Sequence, residues 1–295
     1  MARIALALAV VALAARGAHA DDAIQRIADE ELARAVRDWS PRAAFVVVQN
    51  WQTGEIVALA GKGYDRAIVT GSTLKSFTIA AALDAGVVKG DERFDCATRT
   101  YPDGALRDPT PHGMLSVEEV LTVSSNPGAS RIGDLLGIAK LTAALSRFHF
   151  GPLPEVKPGT RASGAYPAGE LAELTPLQMA AAYAALFADG EYRVPGKKAE
   201  AAVRPETARR VVAMLEAAVA TGTGTAARVA DHRVAGKTGT GVIGKDRYAS
   251  FVGTVRDGPP LVILVGLVAP KRGGTGPTAA APVFARIATR LVARP

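Results

Sequence analysis

Ser72 and Lys75 stand three residues apart in the stretch GSTLKSFTIAAALDAGVV, residues 71–88. On a helix that spacing puts a hydroxyl and an amine on one face. A serine hydroxyl becomes an effective nucleophile when a base takes its proton. A lysine is that base when desolvation or a neighbouring cation lowers its pKa, and a helix N-terminus favours the developing negative charge. The pair alone is weak. At ordinary residue frequencies Ser-x-x-Lys arises about once by chance in a chain of this length, and an N-cap serine with an outward lysine explains it as well.

Two further patterns carry chemistry. Ser124-Ser125-Asn126 sets a hydroxyl two residues from an amide, where the first can relay a proton and the second bind a substrate amide. Capping of a helix by Asn126 is the plainer explanation of that tripeptide taken alone. Lys237-Thr238-Gly239-Thr240 lies in strand-type sequence, so Lys237 and Gly239 share a face. A lysine there can hold a substrate carboxylate and depress the pKa of a second lysine, and Gly239 lets a ligand approach the backbone. Lys-Thr-Gly arises at random in well under about a tenth of chains this size.

The same segment contains two decoys. Gly239, Gly241 and Gly244 satisfy G-x-G-x-x-G, and Gly239 to Lys245 nearly spells a phosphate-binding loop. A dinucleotide fingerprint must open a helix, whereas β-type residues follow here. Asp246 stands where Ser or Thr is required, and position 231 is Asp where the loop ending Gly236-Lys237-Thr238 needs glycine. Nucleotide binding is set aside.

Each pattern needs an element to hold it. From Phe77 onward the first stretch lacks a polar stripe, so it predicts a helix buried in a core. Residues 22–37 read as an amphipathic helix, and AFVVVQNWQTGEIVALAG as two strands around a turn at Gln52-Thr53-Gly54. A loop-rich section dense in Pro, Gly and Asp runs to about residue 115. Ser116 with Glu119 forms a capping box, and Asn126-Pro127 marks a second helix start. Thr175 caps a third helix, with Pro176 next and Gly190 as terminator. Residues 205–220 form another helix. HRVAGKTGT, YASFVGTV and LVILVGLVA are strands, with Asp257-Gly258 turning between the last two, and AAPVFARIATRLVA closes the chain as a helix. Strands at both ends predict an α+β fold with one sheet built from the two termini and a helical block inserted between them.

Composition bounds the function. A chain of 295 residues, 48% hydrophobic and 21% charged, has ample material for a core. Arg3, the apolar run Ile4–Ala15 and Ala18-His19-Ala20 have the layout of a secretory signal cleaved after Ala20. The run is well short of the roughly 20 residues that span a bilayer, and an uncleaved anchor is the alternative. Loss of Arg3 and Arg16, with no acid, takes the formal charge from +7 to +5. The basic residues are scattered, which speaks against nucleic acid and fits an anionic cell envelope. Cys96 is the sole cysteine, so it is expected as a buried thiol. The four histidines do not cluster; neither a metal nor a cofactor is expected.

Ser-x-x-Lys, a Ser-x-Asn-type triplet and Lys-Thr-Gly are a known joint signature of penicillin-binding proteins and class A β-lactamases. Here they occur in the required order and on the required elements. ALRDPTPHGMLSVEEVLTVSSN, LTPLQMAAAYAALFADG, GTGTAARVADHRVAGKTGT, ASFVGTV and AAPVFARIA extend the likeness. With gaps it runs from about Thr53 to the C-terminus, and it resembles the transpeptidase domain of class B penicillin-binding proteins. The resemblance implies a β-lactamase/transpeptidase-like fold over residues 21–295 as a single domain. Its antiparallel-sheet part covers about 21–86 and 226–295, and its helical part about 87–225. It further implies Ser72 as acylated nucleophile, Lys75 as its base and Ser124 as proton relay. Asn126 would bind a substrate amide, Lys237, Thr238 and Thr240 the substrate carboxylate, and the backbone N–H groups of Ser72 and Thr240 the oxyanion. The substrates implied are peptidoglycan stem peptides ending in D-Ala-D-Ala, and β-lactams. Partner proteins of cell-wall synthesis are implied too, and no oligomeric state is favoured.

Departures from the family pattern touch substrate contacts. Pro127 replaces an aliphatic residue, Gly241-Val242 replaces Ala-Gln, and YPAGELAEL replaces a Gly-rich approach to TPLQ. A short lead before the first strand predicts a form without the usual N-terminal pedestal. The expected activity is therefore a periplasmic serine D,D-peptidase, transpeptidase or carboxypeptidase. Two alternatives stand beside it. A β-lactamase would need a glutamate such as Glu155, Glu170 or Glu173 to position water; a sensor or scaffold would need none.

Overall fold

The computed structural model describes residues 22–151 and 153–294. The expected signal segment, residues 1–20, lies outside the described residues.

Helix α1 (Asp22–Trp39) buries Ile24, Ile27, Ala28, Glu31, Leu32 and Ala35 along one stripe. It leads into β1 (Ala43–Asn50) and β2 (Ile56–Gly61), an antiparallel pair turning at residues 51–54 as expected, with Gly54 at φ +79°. A short 3₁₀ turn, Gly71–Leu74, then feeds α2 (Lys75–Asp84), whose residues from Lys75 to Leu83 are all buried.

The loop-rich section contains two small antiparallel ladders, Arg93–Asp95 with Met114–Ser116 and Arg99–Tyr101 with Gly104–Leu106. Three-residue strands are too short to show alternation, which is why the sequence reads there as loop. The helical block follows: α3 (Val117–Thr122), α4 (Asn126–Leu136), α5 (Ile138–Arg147), α6 (Arg161–Ala168), α7 (Pro176–Phe187) and α8 (Pro205–Ala220). The capping boxes at Ser116/Glu119 and Thr175/Gln178 are both formed. Helix α7 ends at Phe187, earlier than Gly190, which occupies the following turn at φ +88°.

Strands β3 (Val234–Ile243), β4 (Asp246–Val255) and β5 (Leu261–Val268) complete the sheet, and α9 (Ala281–Val292) ends the chain. The order is β3-β4-β5-β1-β2, antiparallel throughout. Both ends of the chain therefore build one sheet, giving the mixed fold expected from the sequence. Alternate residues of β1 point to two cores. Phe45 and Val47 join the core of the helical block with α2 and α7, while Ala44, Val46 and Val48 pack with α1 and α9.

The two terminal helices are clamped by an almost buried carboxylate. Glu31 accepts from Arg286 Nε at 2.7 Å and from Arg290 Nη1 at 3.1 Å. Burial pushes its pKa up, but the hydrogen bonds and charges of Arg286 and Arg290 outweigh it and hold the carboxyl below its ordinary value of 4.5. A depressed carboxyl pKa contributes stability above the unfolded value and loses it as pH falls through the folded one. Glu31→Gln is expected to cost about 1–3 kcal/mol at neutral pH. Thermal unfolding across pH should show that difference closing below about pH 4; a difference independent of pH would contradict the clamp.

Candidate active site

The first turn at Ser72 is polar because it opens onto a cleft, while the rest of α2 is locked in the core. Phe77 meets Phe148, Phe150 and Tyr183 edge-on at 4.9, 5.0 and 5.1 Å between ring centroids. Tyr183 donates to the Thr73 carbonyl at 2.9 Å and lies 2.8 Å from Ser76 Oγ. Thr78 Oγ1 donates to the Pro167 carbonyl at 2.8 Å, tying α2 to α6.

Glycines allow the close approaches around that turn. Gly71, at φ +55°, packs on the Thr240 backbone, where a Cβ would come within 2.8 Å of the carbonyl oxygen. Gly169, at φ +93°, packs on Gly71, where a Cβ would lie 1.9 Å from the Gly71 oxygen. Residues 169–174 are also tied to the approach to Ser72: Thr70 donates from its backbone to Ala172 and from Oγ1 to the Gly169 carbonyl. The clearance at Gly239 faces Ser250 and Thr73, so it admits the serine-bearing turn rather than a ligand in the cleft.

Lys75 and Lys237 are both 0% exposed. Lys75 Nζ lies 2.7 Å from Ser72 Oγ and 2.7 Å from Asn126 Oδ1. Lys237 Nζ donates to Ser124 Oγ at 2.9 Å and to the Thr238 carbonyl at 3.2 Å. Thr238 Oγ1 sits 2.8 Å from Thr223 Oγ1, and Thr240 Oγ1 accepts from the Gly276 N–H at 3.1 Å. Residues singled out in three distant segments thus meet in one place. Ser72, Ser124, Asn126, Thr238 and Thr240 line a cleft of about 840 Å³.

Asn126 does not cap α4. Ser125 does, its Oγ accepting from the Gly128 N–H at 3.2 Å, with Asn126 as the first helical residue and Pro127 after it. The shift by one residue frees the Asn126 side chain for Lys75. Ser124 takes φ +66°, a left-handed conformation costing a serine roughly 1–2 kcal/mol. The supposed phosphate loop is strand: β3 runs to Ile243 and turns at Gly244-Lys245 into β4.

Burial lowers the Lys75 pKa from 10.5 to about 8, while Asp108 and Glu170 act in the opposite sense. Burial, with the charge of Lys75 second, holds Lys237 well below its ordinary value. A neutral Lys75 can accept the Ser72 proton while Asn126 Oδ1 takes one of its N–H groups. An anion bound beside Lys237 would act in the opposite sense and raise its pKa. The arrangement is suited to a serine nucleophile, an amine base and an anion clamp.

Several cleft residues escaped the sequence reading. Arg161, Arg247 and Thr275 line it outside every quoted stretch, and Thr223 lies in GTGTAARVADHRVAGKTGT without being singled out. Asp108 accepts from the Asn126 backbone N–H at 2.6 Å. Of the three glutamates considered, Glu170 lines the cleft, bonded to Arg161 Nη2 at 2.7 Å. Glu155 and Glu173 are exposed and do not. Cys96 is buried and its thiol pushed up, by burial first. Among the described residues no cluster of His, Cys, Asp and Glu could hold a metal ion.

The family described as penicillin binding protein transpeptidase domain matches residues 44–289. The chain belongs to that family. Stage V sporulation protein D of Bacillus subtilis is 30% identical over 90% of this chain and 52% of its own length. A probable peptidoglycan D,D-transpeptidase, PenA, of Neisseria gonorrhoeae is 30% identical over 90% of this chain and 55% of its own. The transpeptidase domain of penicillin-binding protein 3 from Burkholderia pseudomallei, in its apo form, superposes with a TM-score of 0.79. It is 28% identical and covers 90% of this chain and 92% of that one. The chain spans about half the length of the curated relatives it matches.

The close approach at Gly169 can be tested against a glycine of similar φ in open space. Gly159, at φ +77°, has nothing within 4 Å of the place a Cβ would take. Gly159→Ala should cost about 1 kcal/mol through backbone strain alone, and Gly169→Ala at least about 2 kcal/mol more by forcing apart the serine-bearing turn. Denaturant unfolding of the two variants checks this; equal costs would contradict the packing of Gly169 on Gly71.

Proposed function

We propose that the protein is a penicillin-binding serine D,D-peptidase acting on D-Ala-D-Ala stem peptides of peptidoglycan, with transpeptidation as its principal reaction. One observation carries the reading: Ser72–Lys75–Asn126 and Lys237–Ser124 form adjoining hydrogen-bonded groups at one cleft. Membership of the transpeptidase family supports it.

The terminal carboxylate of the peptide binds Lys237, Thr238 and Thr240, with Lys237 taking up a proton as the anion arrives. Asn126 holds an amide of the peptide. Ser72 Oγ attacks the carbonyl of the penultimate D-Ala while its proton passes to Lys75 Nζ. The backbone N–H groups of Ser72 and Thr240 receive the oxyanion, a role supported by the packing of Gly71 on Thr240. The tetrahedral adduct collapses as the proton moves, by way of Ser124, to the departing amine, and D-Ala leaves. The acyl group on Ser72 then passes to an acceptor amine or to water. A β-lactam enters by the same attack but keeps its leaving amine tethered, so its acyl-enzyme persists.

A second reading, hydrolysis in the manner of a β-lactamase, is favoured by one observation. Glu170 lies in the cleft, where a carboxylate could position water, although Arg161 occupies one of its oxygens. The substrate places the reaction outside the cytoplasm. No helix among the described residues is long and apolar enough to cross a membrane.

Incubation with benzylpenicillin, followed by intact mass over hours, separates these readings. The expected result is a lasting adduct on Ser72, absent from Ser72→Ala, and slowed by about 10²–10⁴-fold in Lys75→Ala. Rapid loss of the adduct with turnover would favour the β-lactamase. An adduct formed equally by Ser72→Ala would refute the assignment of the nucleophile.

A further inference from the structure

Lys75 touches no carboxylate, yet one is attached to it through a single residue. Asp108 Oδ1 accepts from the Asn126 backbone N–H at 2.6 Å, and Asn126 Oδ1 accepts from Lys75 Nζ at 2.7 Å. The Asn126 side-chain amide donates to the Arg107 carbonyl at 3.1 Å. Arg107 and Asp108 therefore grip Asn126 at both its backbone and its side chain, which turns the amide oxygen toward the amine. The second carboxylate oxygen, Asp108 Oδ2, is buried without a hydrogen-bond partner.

The charged groups that face Lys75 are Asp108, Glu170 and Lys237. Glu170 is paired with Arg161, and Lys237, when protonated, has the same sign as the Lys75 ammonium. When the Ser72 O–H bond breaks and Oγ bonds to the substrate carbon, the proton and a full positive charge arrive on Lys75 Nζ. Among these three groups Asp108 alone is a carboxylate not already held by a cation. A direct ion pair would trap Lys75 as an ammonium and abolish the base. A carboxylate one residue removed stabilises the transient charge and leaves the amine free to lose the proton again.

We propose that Asp108 is a positioning residue for acyl transfer: Oδ1 sets Asn126 against Lys75, and the unpartnered Oδ2 supplies the counter-charge while Lys75 holds the Ser72 proton. The proposal rests on the reading of Ser72 and Lys75 given under the proposed function.

Asp108→Asn keeps an acceptor for the Asn126 N–H and removes the charge, whereas Asp108→Glu keeps the charge and displaces the acceptor. The second-order rate constant of acylation by benzylpenicillin should be measured against pH for both variants and the parent, with thermal unfolding to verify the fold. In the parent the rate rises as Lys75 loses its proton. In Asp108→Asn the midpoint of that rise moves to lower pH by roughly one unit, and the plateau falls about tenfold as the base weakens. Asp108→Glu keeps the parental midpoint and loses only plateau. A folded Asp108→Asn with an unmoved midpoint, or without acylation at any pH, overturns the proposal and leaves Asp108 a structural anchor. If Asp108→Asn does not fold, a shifted midpoint in Asp108→Glu overturns it. A parent protein that is never acylated would refute the reading of Ser72 instead.

Discussion

The site depends on two lysine side chains buried beside one cleft, with no carboxylate among the described residues hydrogen-bonded to either. Burying a charged amine is costly, and that cost lowers its pKa. Burial brings Lys75 to about 8, so it gives up its proton more readily than an ordinary lysine. Lys237 is held well below its ordinary value by burial first and by the like charge of Lys75 second. In the proposed mechanism the first amine serves as the base and the second receives the substrate carboxylate. Both properties come from the same exclusion of water, and the hydroxyls and amide around them satisfy the remaining hydrogen bonds.

The rest of the fold keeps these amines dry and close. Helix α2 can carry a polar first turn into the protein because Tyr183, Ser76 and Thr78 absorb its polar groups, and the rings around Phe77 fix its axis. Strand β3, from the far end of the chain, can lie against that turn because Gly71 lacks a side chain where it meets the Thr240 backbone and Gly239 where it meets Thr73, while Gly169 makes room beside Gly71. The α3–α4 junction brings the third segment, with strain stored at Ser124 and a cap supplied by Ser125. The Glu31 clamp ties α1, which packs on β1 and β2, to α9, which packs on β4 and β5.

Much of this is legible in the sequence because the chemistry-bearing residues lie in short patterns on strongly patterned elements. The apolar run after Phe77, the capping boxes and the late strands each carry a local signal, and their order implies the architecture. Asn126 reads as a cap because Asn, Ser and Pro all suit a helix start; which residue caps depends on a tertiary demand for the Asn side chain at Lys75. Gly239 reads as room for a ligand because a strand glycine signals a close approach without naming what approaches. Asp108 and Thr223 lie in stretches that carry the family likeness, but neither belongs to a short pattern that names its role. Each matters through a partner 15 or more residues away, Asn126 or Thr238, that periodicity and turn chemistry do not encode.

Direct titration of the two amines tests the central claim, by NMR of protein carrying isotope-labelled lysine and Ser72→Ala, Lys75→Arg and Lys237→Arg variants for assignment. The account predicts that Lys75 loses its proton near 8 and that Lys237, without ligand, does so well below 10.5. Addition of a carboxylate-bearing ligand should then move Lys237 upward. Both amines titrating with surface lysines near 10.5 would contradict it, because Ser72 would then face an ammonium and have no base.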